Sequence, residues 1–209
     1  MLKRAFIFFV LFFFLAGFVE AVDLSKLVEK RINEDGTILD LKDMNIGPKG
    51  AKELAAMESL ASLVTLHLQG NKIKARGMKA LAKSPHLAKL KHLDLWGNLL
   101  GDRGLKSIFD SPYLKNLETL KLWKNEISDD SLPFLANSKN FMKLKTLMLN
   151  NNLITDAGAA TLAKSGSFSE LKILNLFRND VGDVGALAFA KSVEFPNFCL
   201  LYTSDAADE

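Results

Sequence analysis

The stretch Leu90-Lys-His-Leu93-Asp-Leu95-Trp-Gly-Asn98-Leu-Leu100 decides the fold, because its frame returns 27 residues later as Leu117, Leu120, Leu122, Asn125 and Ile127. Outward from it the same frame appears earlier as Leu63, Leu66, Leu68, Asn71 and Ile73. It continues as Leu144, Leu147, Leu149, Asn152 and Ile154, then as Leu171, Leu174, Leu176, Asn179 and Val181. A degenerate first copy keeps Leu39, Leu41 and Ile46, with Gly36 in the first leucine slot and Met44 in the asparagine slot. The second half of the unit is as regular. Gly50, Gly77, Gly104, Gly158 and Gly185 share one phase, with Ser131 the exception, and Leu54, Leu81, Ile108, Leu135, Leu162 and Phe189 share another. Self-similarity at a fixed period of this length marks a solenoid.

The residue types explain the frame. Leu-x-Leu alternation has a period of two, so a short strand buries its leucines and shows the residues between them. The asparagine falls where the chain leaves the strand. Its amide both donates and accepts, which suits a ladder of bonds to the backbone of neighbouring coils. Runs such as Asp102-Arg-Gly-Leu-Lys-Ser-Ile-Phe109 and Asp156-Ala-Gly-Ala-Ala-Thr-Leu-Ala163 read as helices. Asp102, Asp129, Asp156 and Asp183 stand at their starts, where a carboxylate is expected to cap free amides. The glycine two residues later reads as a close-packing position. Asp130-Ser-Leu-Pro133 departs from the pattern, but a proline in a first helical turn is tolerated. One strand and one helix cannot bury their own apolar sides, whereas stacked coils can.

This pattern resembles the leucine-rich repeat family, and within it the ribonuclease-inhibitor-like subfamily, whose units pair a strand with a full helix. The resemblance covers residues 36–197 as six units of 27 residues. It implies an α/β leucine-rich repeat solenoid, a curved right-handed stack with parallel strands on the concave face and helices on the convex face. It further implies a protein-binding module, and the residues themselves lead to no expectation of a catalytic site, a cofactor or a metal. Ahead of the repeats, residues 22–35 read as an N-terminal capping helix. Leu24, Leu27, Val28 and Ile32 have the spacing of one helix face, and Asp23 is the expected N-cap.

The two ends have a different character. Lys3 and Arg4 precede an unbroken apolar run over residues 5–18, then Val19-Glu20-Ala21. Fourteen apolar residues span about 21 Å as a helix, short of the roughly 30 Å hydrocarbon core. Residues 1–21 are therefore expected to be a signal peptide cleaved after Ala21, leaving a secreted or periplasmic protein with no membrane span. At the other end, residues 198–209 begin a seventh unit that loses its frame. Thr203 stands where leucine is required and Ala206 where asparagine is. Residues 199–209 resemble a translated sequencing adapter: the transposase end CTGTCTCTTATACACATCT, followed by GACGCTGCCGACGA, encodes them once its first base completes the Phe198 codon.

Without those two segments the chain carries 25 basic and 20 acidic side chains. That mild excess, spread along the sequence, is no nucleic-acid signature. One cysteine, Cys199, excludes an internal disulfide.

The strand positions that face out supply the site. The column after each second strand leucine reads Lys42, Gln69, Trp96, Trp123, Asn150, Phe177. The column between the two strand leucines reads Asp40, His67, Asp94, Lys121, Met148, Asn175, and a third reads Ile38, Thr65, His92, Thr119, Thr146, Ile173. The only two tryptophans thus fall in adjacent coils, about 5 Å apart by strand spacing. Exposed aromatics in a row point to a partner, since they bury large area at low entropic cost. The expected partner-binding set is Trp96, Trp123, Phe177, His67, His92, Asp94 and Lys121. The alternative is a carbohydrate or cell-wall glycan stacked on the tryptophans. An enzyme or enzyme activator is a third class, for which no nucleophile elbow or phosphate loop is present. His67, His92 and Asp94 lie near one another, yet lack the spacing and ligand number of a zinc site. The asparagines Asn71, Asn98, Asn125, Asn152 and Asn179 are assigned to structure. Asn151, one position before a ladder asparagine, is expected to face out and to be replaceable.

Overall fold

The computed structural model describes residues 23–192 and 200–202; the expected signal segment lies outside them, as does most of the expected adapter-derived tail. Seven short strands form one parallel sheet in chain order. They are β1 (Ile38–Asp40), β2 (Thr65–His67), β3 (His92–Asp94), β4 (Thr119–Lys121), β5 (Thr146–Met148), β6 (Ile173–Asn175) and β7 (Leu200–Tyr202). Every pair has the 27-residue register, as in Leu66 opposite Leu93 and Leu93 opposite Leu120. β7 keeps it, with Leu201 opposite Leu174.

Parallel neighbours require a crossover. Here each crossover carries a helix: α2 (Gly47–Ala55), α3 (Lys74–Leu81), α4 (Gly101–Phe109), α5 (Leu132–Ala136), α6 (Asp156–Ala163) and α7 (Asp183–Ala190). The core lies between sheet and helices. Leu66, Leu93, Leu120, Leu147 and Leu174 are buried there, as are Leu54, Leu81, Ile108, Leu135 and Leu162 from the helical side. Before the first coil, α1 (Leu24–Arg31) is capped by Asp23, whose carboxylate accepts from the Lys26 N–H, and it buries Leu24 and Val28 against the core.

Three side-chain ladders join the coils. In the first, Asn98 Oδ1 accepts from the backbone N–H groups of Asn71 and Ile73, while its amide donates to the Leu68 and Leu95 carbonyls. Asn125, Asn152 and Asn179 repeat that pattern one coil further on. The second ladder has no counterpart in the sequence reading. Ser84, Ser111, Ser138 and Ser165 recur every 27 residues and donate to the carbonyls of Ala55, Ala82, Phe109 and Ala136. Each thereby satisfies a carbonyl at or near the end of the preceding coil's helix, groups with no intrahelical partner.

The third ladder corrects an expectation. Asp102, Asp129 and Asp156 do not cap their own helices; each reaches the start of the next coil's helix, while the helix start one coil beyond Asp183 lies outside the described residues. Asp102 accepts from the Ser128 N–H, the Ser128 hydroxyl and the Ser131 hydroxyl. Asp129 accepts from the Thr155 N–H and hydroxyl, and Asp156 from the N–H groups of Gly182 and Gly185. Burial pushes the Asp102 carboxyl up, but the Ser131 hydroxyl and the Ser128 N–H and hydroxyl outweigh it and hold the pKa below the usual value.

This ladder divides the stack in two. In the earlier coils Pro48 and Ala75 occupy the aspartate slot. The N–H groups of Lys74 and Gly101 go instead to the Asn98 and Asn125 carbonyls. Gly47, Lys74 and Gly101 are accordingly left-handed, at φ 62°, 57° and 56°, whereas Ser128, Thr155 and Gly182 in the same slot are extended. The fourth unit is the junction. A 3₁₀ turn over Asp129–Ser131 leads into the short α5, with Pro133 in its first turn as expected.

Candidate functional site

The sheet face opposite the helices displays the three outward columns. Trp96 and Trp123 follow the second strand leucine in adjacent coils, and their rings stack at 4.9 Å between centroids and 18° between planes. Strand spacing sets that distance, since neighbouring coils lie about 4.7–4.9 Å apart. Trp123 is 37% exposed and Trp96 half-buried. On the far side of Trp96 the Lys42 ammonium sits 5.8 Å from the ring centroid, within reach of a cation–π contact. Both faces of the Trp96 indole are therefore occupied.

Below this column, Asp94 is buried and tied down. Its Oδ1 accepts from the Trp96 N–H at 3.2 Å and its Oδ2 faces the Lys121 ammonium at 3.4 Å. Asp94 thus holds the backbone that carries Trp96 and presents little surface of its own. His67 pairs in register with Asp94, while His92 lies in the third column opposite Thr65 and Thr119. Phe177 stands two coils beyond Trp123, with Asn150 between them, and the Arg178 guanidinium lies 5.5 Å from its ring centroid. The fold therefore gathers Lys42, His67, Asp94, Trp96, Lys121 and Trp123 in neighbouring coils and leaves Phe177 apart. No group of three metal-ligating side chains occurs among the described residues.

One member was not in the expected set. Among the described residues, three buried side-chain polar atoms have no hydrogen-bond partner: His67 Nδ1, Gln69 Oε1 and Trp96 Nε1. All three lie on this face, in two adjacent coils. Gln69 precedes Trp96 in its column, and that adjacency was the signal available in the sequence. An unpaired buried polar group costs about 1–3 kcal/mol, and such groups in a folded protein call for an explanation.

Four segments match the family profile described as "Leucine Rich repeat": residues 59–82, 86–109, 142–163 and 170–190. The chain is a protein of leucine-rich repeats, folded as an α/β solenoid with one parallel sheet and helices on the other side. No curated protein sequence matches it. Among solved structures it is similar to an internalin (inlF) from Listeria monocytogenes, at 22% identity and a TM-score of 0.46, over 76% of this chain and 38% of that one. It is also similar to internalin C2 from Listeria monocytogenes, at 20% identity and a TM-score of 0.41, over 80% of each chain. The chain thus spans well under half the length of the first of these.

Proposed function

We propose that this protein is a non-catalytic module that binds a protein partner through its strand face, around Trp96 and Trp123. The observation that carries the reading is the stacked, partly exposed indole pair of the third and fourth coils, beside three unpaired buried polar atoms in the second and third, with Trp96 common to both. Aromatic residues that are rigid and partly desolvated dominate protein interfaces, and a partner that reorders this patch can supply the missing hydrogen bonds. Units with a full helix on the outer side support the ribonuclease-inhibitor-like type of repeat. The sequence of residues 1–21 supports action outside the cytoplasm, and exported material is expected to begin at Val22; retention of Met1 in its mass spectrum would replace export by anchoring.

The glycan reading has less support. Sugars stack on the faces of aromatic rings, and here one face of Trp96 meets Trp123 while the other meets Lys42. That leaves a single indole face, the side of Trp123 turned away from Trp96, rather than a row of faces for a sugar chain. Affinity capture from the extracellular fraction, run beside a glycan array, separates the two. A protein retained by the wild type and lost with Trp96→Ala supports the proposal. Glycan binding with the same Trp96 dependence, and no such protein, overturns it.

A further inference from the structure

We infer a second interaction surface, on the helical side of the first three repeat coils, that takes a linear acidic polysaccharide. A groove of about 930 Å³ runs between α2 and α3, lined by Ile46, Pro48, Lys49, Lys52, Lys74 and Arg76 among others. Its four cations are exposed, and no acidic residue lines it. Among the described residues none of the four forms an ion pair; the ion-paired cations are Lys26, Lys91, Lys106, Lys121 and Lys145.

The repeat phase makes this a row. The outermost helix positions read Lys49, Arg76, Arg103 in one column and Lys52, Lys79, Lys106 in the next. In the later coils the same columns read Asp130, Ala157, Val184 and Pro133, Ala160, Leu187. Adjacent packed helices lie about 8–10 Å apart, so the cations form two parallel lines across three coils. Helix ends add to them. No side chain caps α2 or α3, and neither has an acidic residue in its first turn; ahead of α3, Pro48 stands where later coils carry an aspartate to the next helix start. The positive ends of those two helix dipoles meet no carboxylate of their own first turn, on the side that carries Lys49 and Lys74. In the later coils the protein's own carboxylates occupy that place.

The shape and chemistry select the occupant. A groove crossed by regularly spaced charges suits an extended polyanion. The lining holds no aromatic side chain, and so lacks the platforms on which nucleobases stack. It is concave, and lacks the projecting apolar face by which a helix enters a bilayer surface.

The test uses the full chain and heparin as the probe, by calorimetry at about 50 mM and about 200 mM salt, where ionic binding to a polyanion falls steeply. The wild type should bind with salt-dependent affinity. A Lys52→Glu/Arg76→Glu variant should lose about tenfold or more, with an unchanged melt because both side chains are exposed. Lys89→Glu/Lys115→Glu, exposed on the connections ahead of β3 and β4, should bind like the wild type. Trp96→Ala should also bind like the wild type, which keeps this result separate from that of the strand face. Equal affinity of the groove variant and the wild type overturns the inference. So does tighter groove-dependent binding of duplex DNA, poly-glutamate or phosphatidylglycerol vesicles than of heparin.

Discussion

The Ser131 hydroxyl donates to Asp102 Oδ1 at 2.6 Å, so the one coil with serine in the glycine slot is also one whose slot receives a carboxylate from the coil before. In the next two coils the carboxylate comes to the same place and the slot is glycine. A Cβ on Gly158 would stand 2.1 Å from Asp129 Oδ1, and one on Gly185 would stand 2.7 Å from Asp156 Oδ1. The slot is filled by a small residue because a neighbouring coil occupies the space beside it.

Gly158→Ala is therefore expected to destabilise the fold by about 1–3 kcal/mol through overpacking, since its Cβ also lies 2.7 Å from Leu132 Cδ1. Adding Asp129→Ala should recover part of that loss by removing the obstructing carboxylate. Denaturant melts of the single and double variants measure this. A loss from Gly158→Ala that persists undiminished in the double variant would show that the clash lies elsewhere.

Asn125→Leu should cost about 1–3 kcal/mol, because the N–H groups of Asn98 and Leu100 lose the acceptor they share. Asn151 is not the neutral control that its outward phase implies. It is left-handed at φ 54°, a conformation shared with Gly70 and Gly97 in the same slot. Asn151→Leu should cost about 1 kcal/mol or more through backbone strain, while Asn151→Gly should be close to neutral. Equal midpoints for the leucine and glycine replacements would contradict the assigned backbone.

Glu118 bridges two coils, with its carboxylate 3.0 Å from the Lys91 ammonium and 2.8 Å from that of Lys145. Bonds from Lys145 and Lys91 lower its pKa from 4.5 to about 2. A carboxyl lowered by folding adds stability above its unfolded value and loses it as pH falls through the folded one. The stability of the wild type should therefore decline between about pH 4.5 and pH 2 more steeply than that of Glu118→Gln. The cluster is partly exposed, so added salt should flatten the difference. Parallel pH profiles for the two proteins at low salt would exclude the contribution.

Trp96→Ala should weaken partner binding by about 2 kcal/mol or more. The fold should survive, since the indole lies outside the core between sheet and helices. Leu95→Ala, at a fully buried position, should cost about 2–5 kcal/mol of stability. Lys79 and Lys106, on the outer helices, can be replaced without effect on this interaction. The melt and the binding isotherm are measured on the same samples. If Trp96→Ala lowers the melt as far as Leu95→Ala does, the tryptophans are structural and the strand-face proposal falls.

The sequence by itself determined the coil, its period and its inward residues. A solenoid places residues 27 apart in register, so phase alone identified the buried leucines, the asparagine ladder and the adjacency of Trp96 and Trp123. The serine ladder has the same phase, but a lone serine every 27 residues is a faint signal beside leucines. Other features were decided only by the tertiary structure. Phase shows that Asp102, Asp129 and Asp156 recur; it cannot show whether a carboxylate turns to its own helix or to the next, which depends on where the neighbouring N–H groups point. The same applies to the left-handed backbone at Asn151, fixed by how the chain leaves the strand rather than by the residue type. It applies most to the strand face, where burial of the polar atoms of His67, Gln69 and Trp96 follows from side-chain packing across coils, a property of the neighbours and not of any one position.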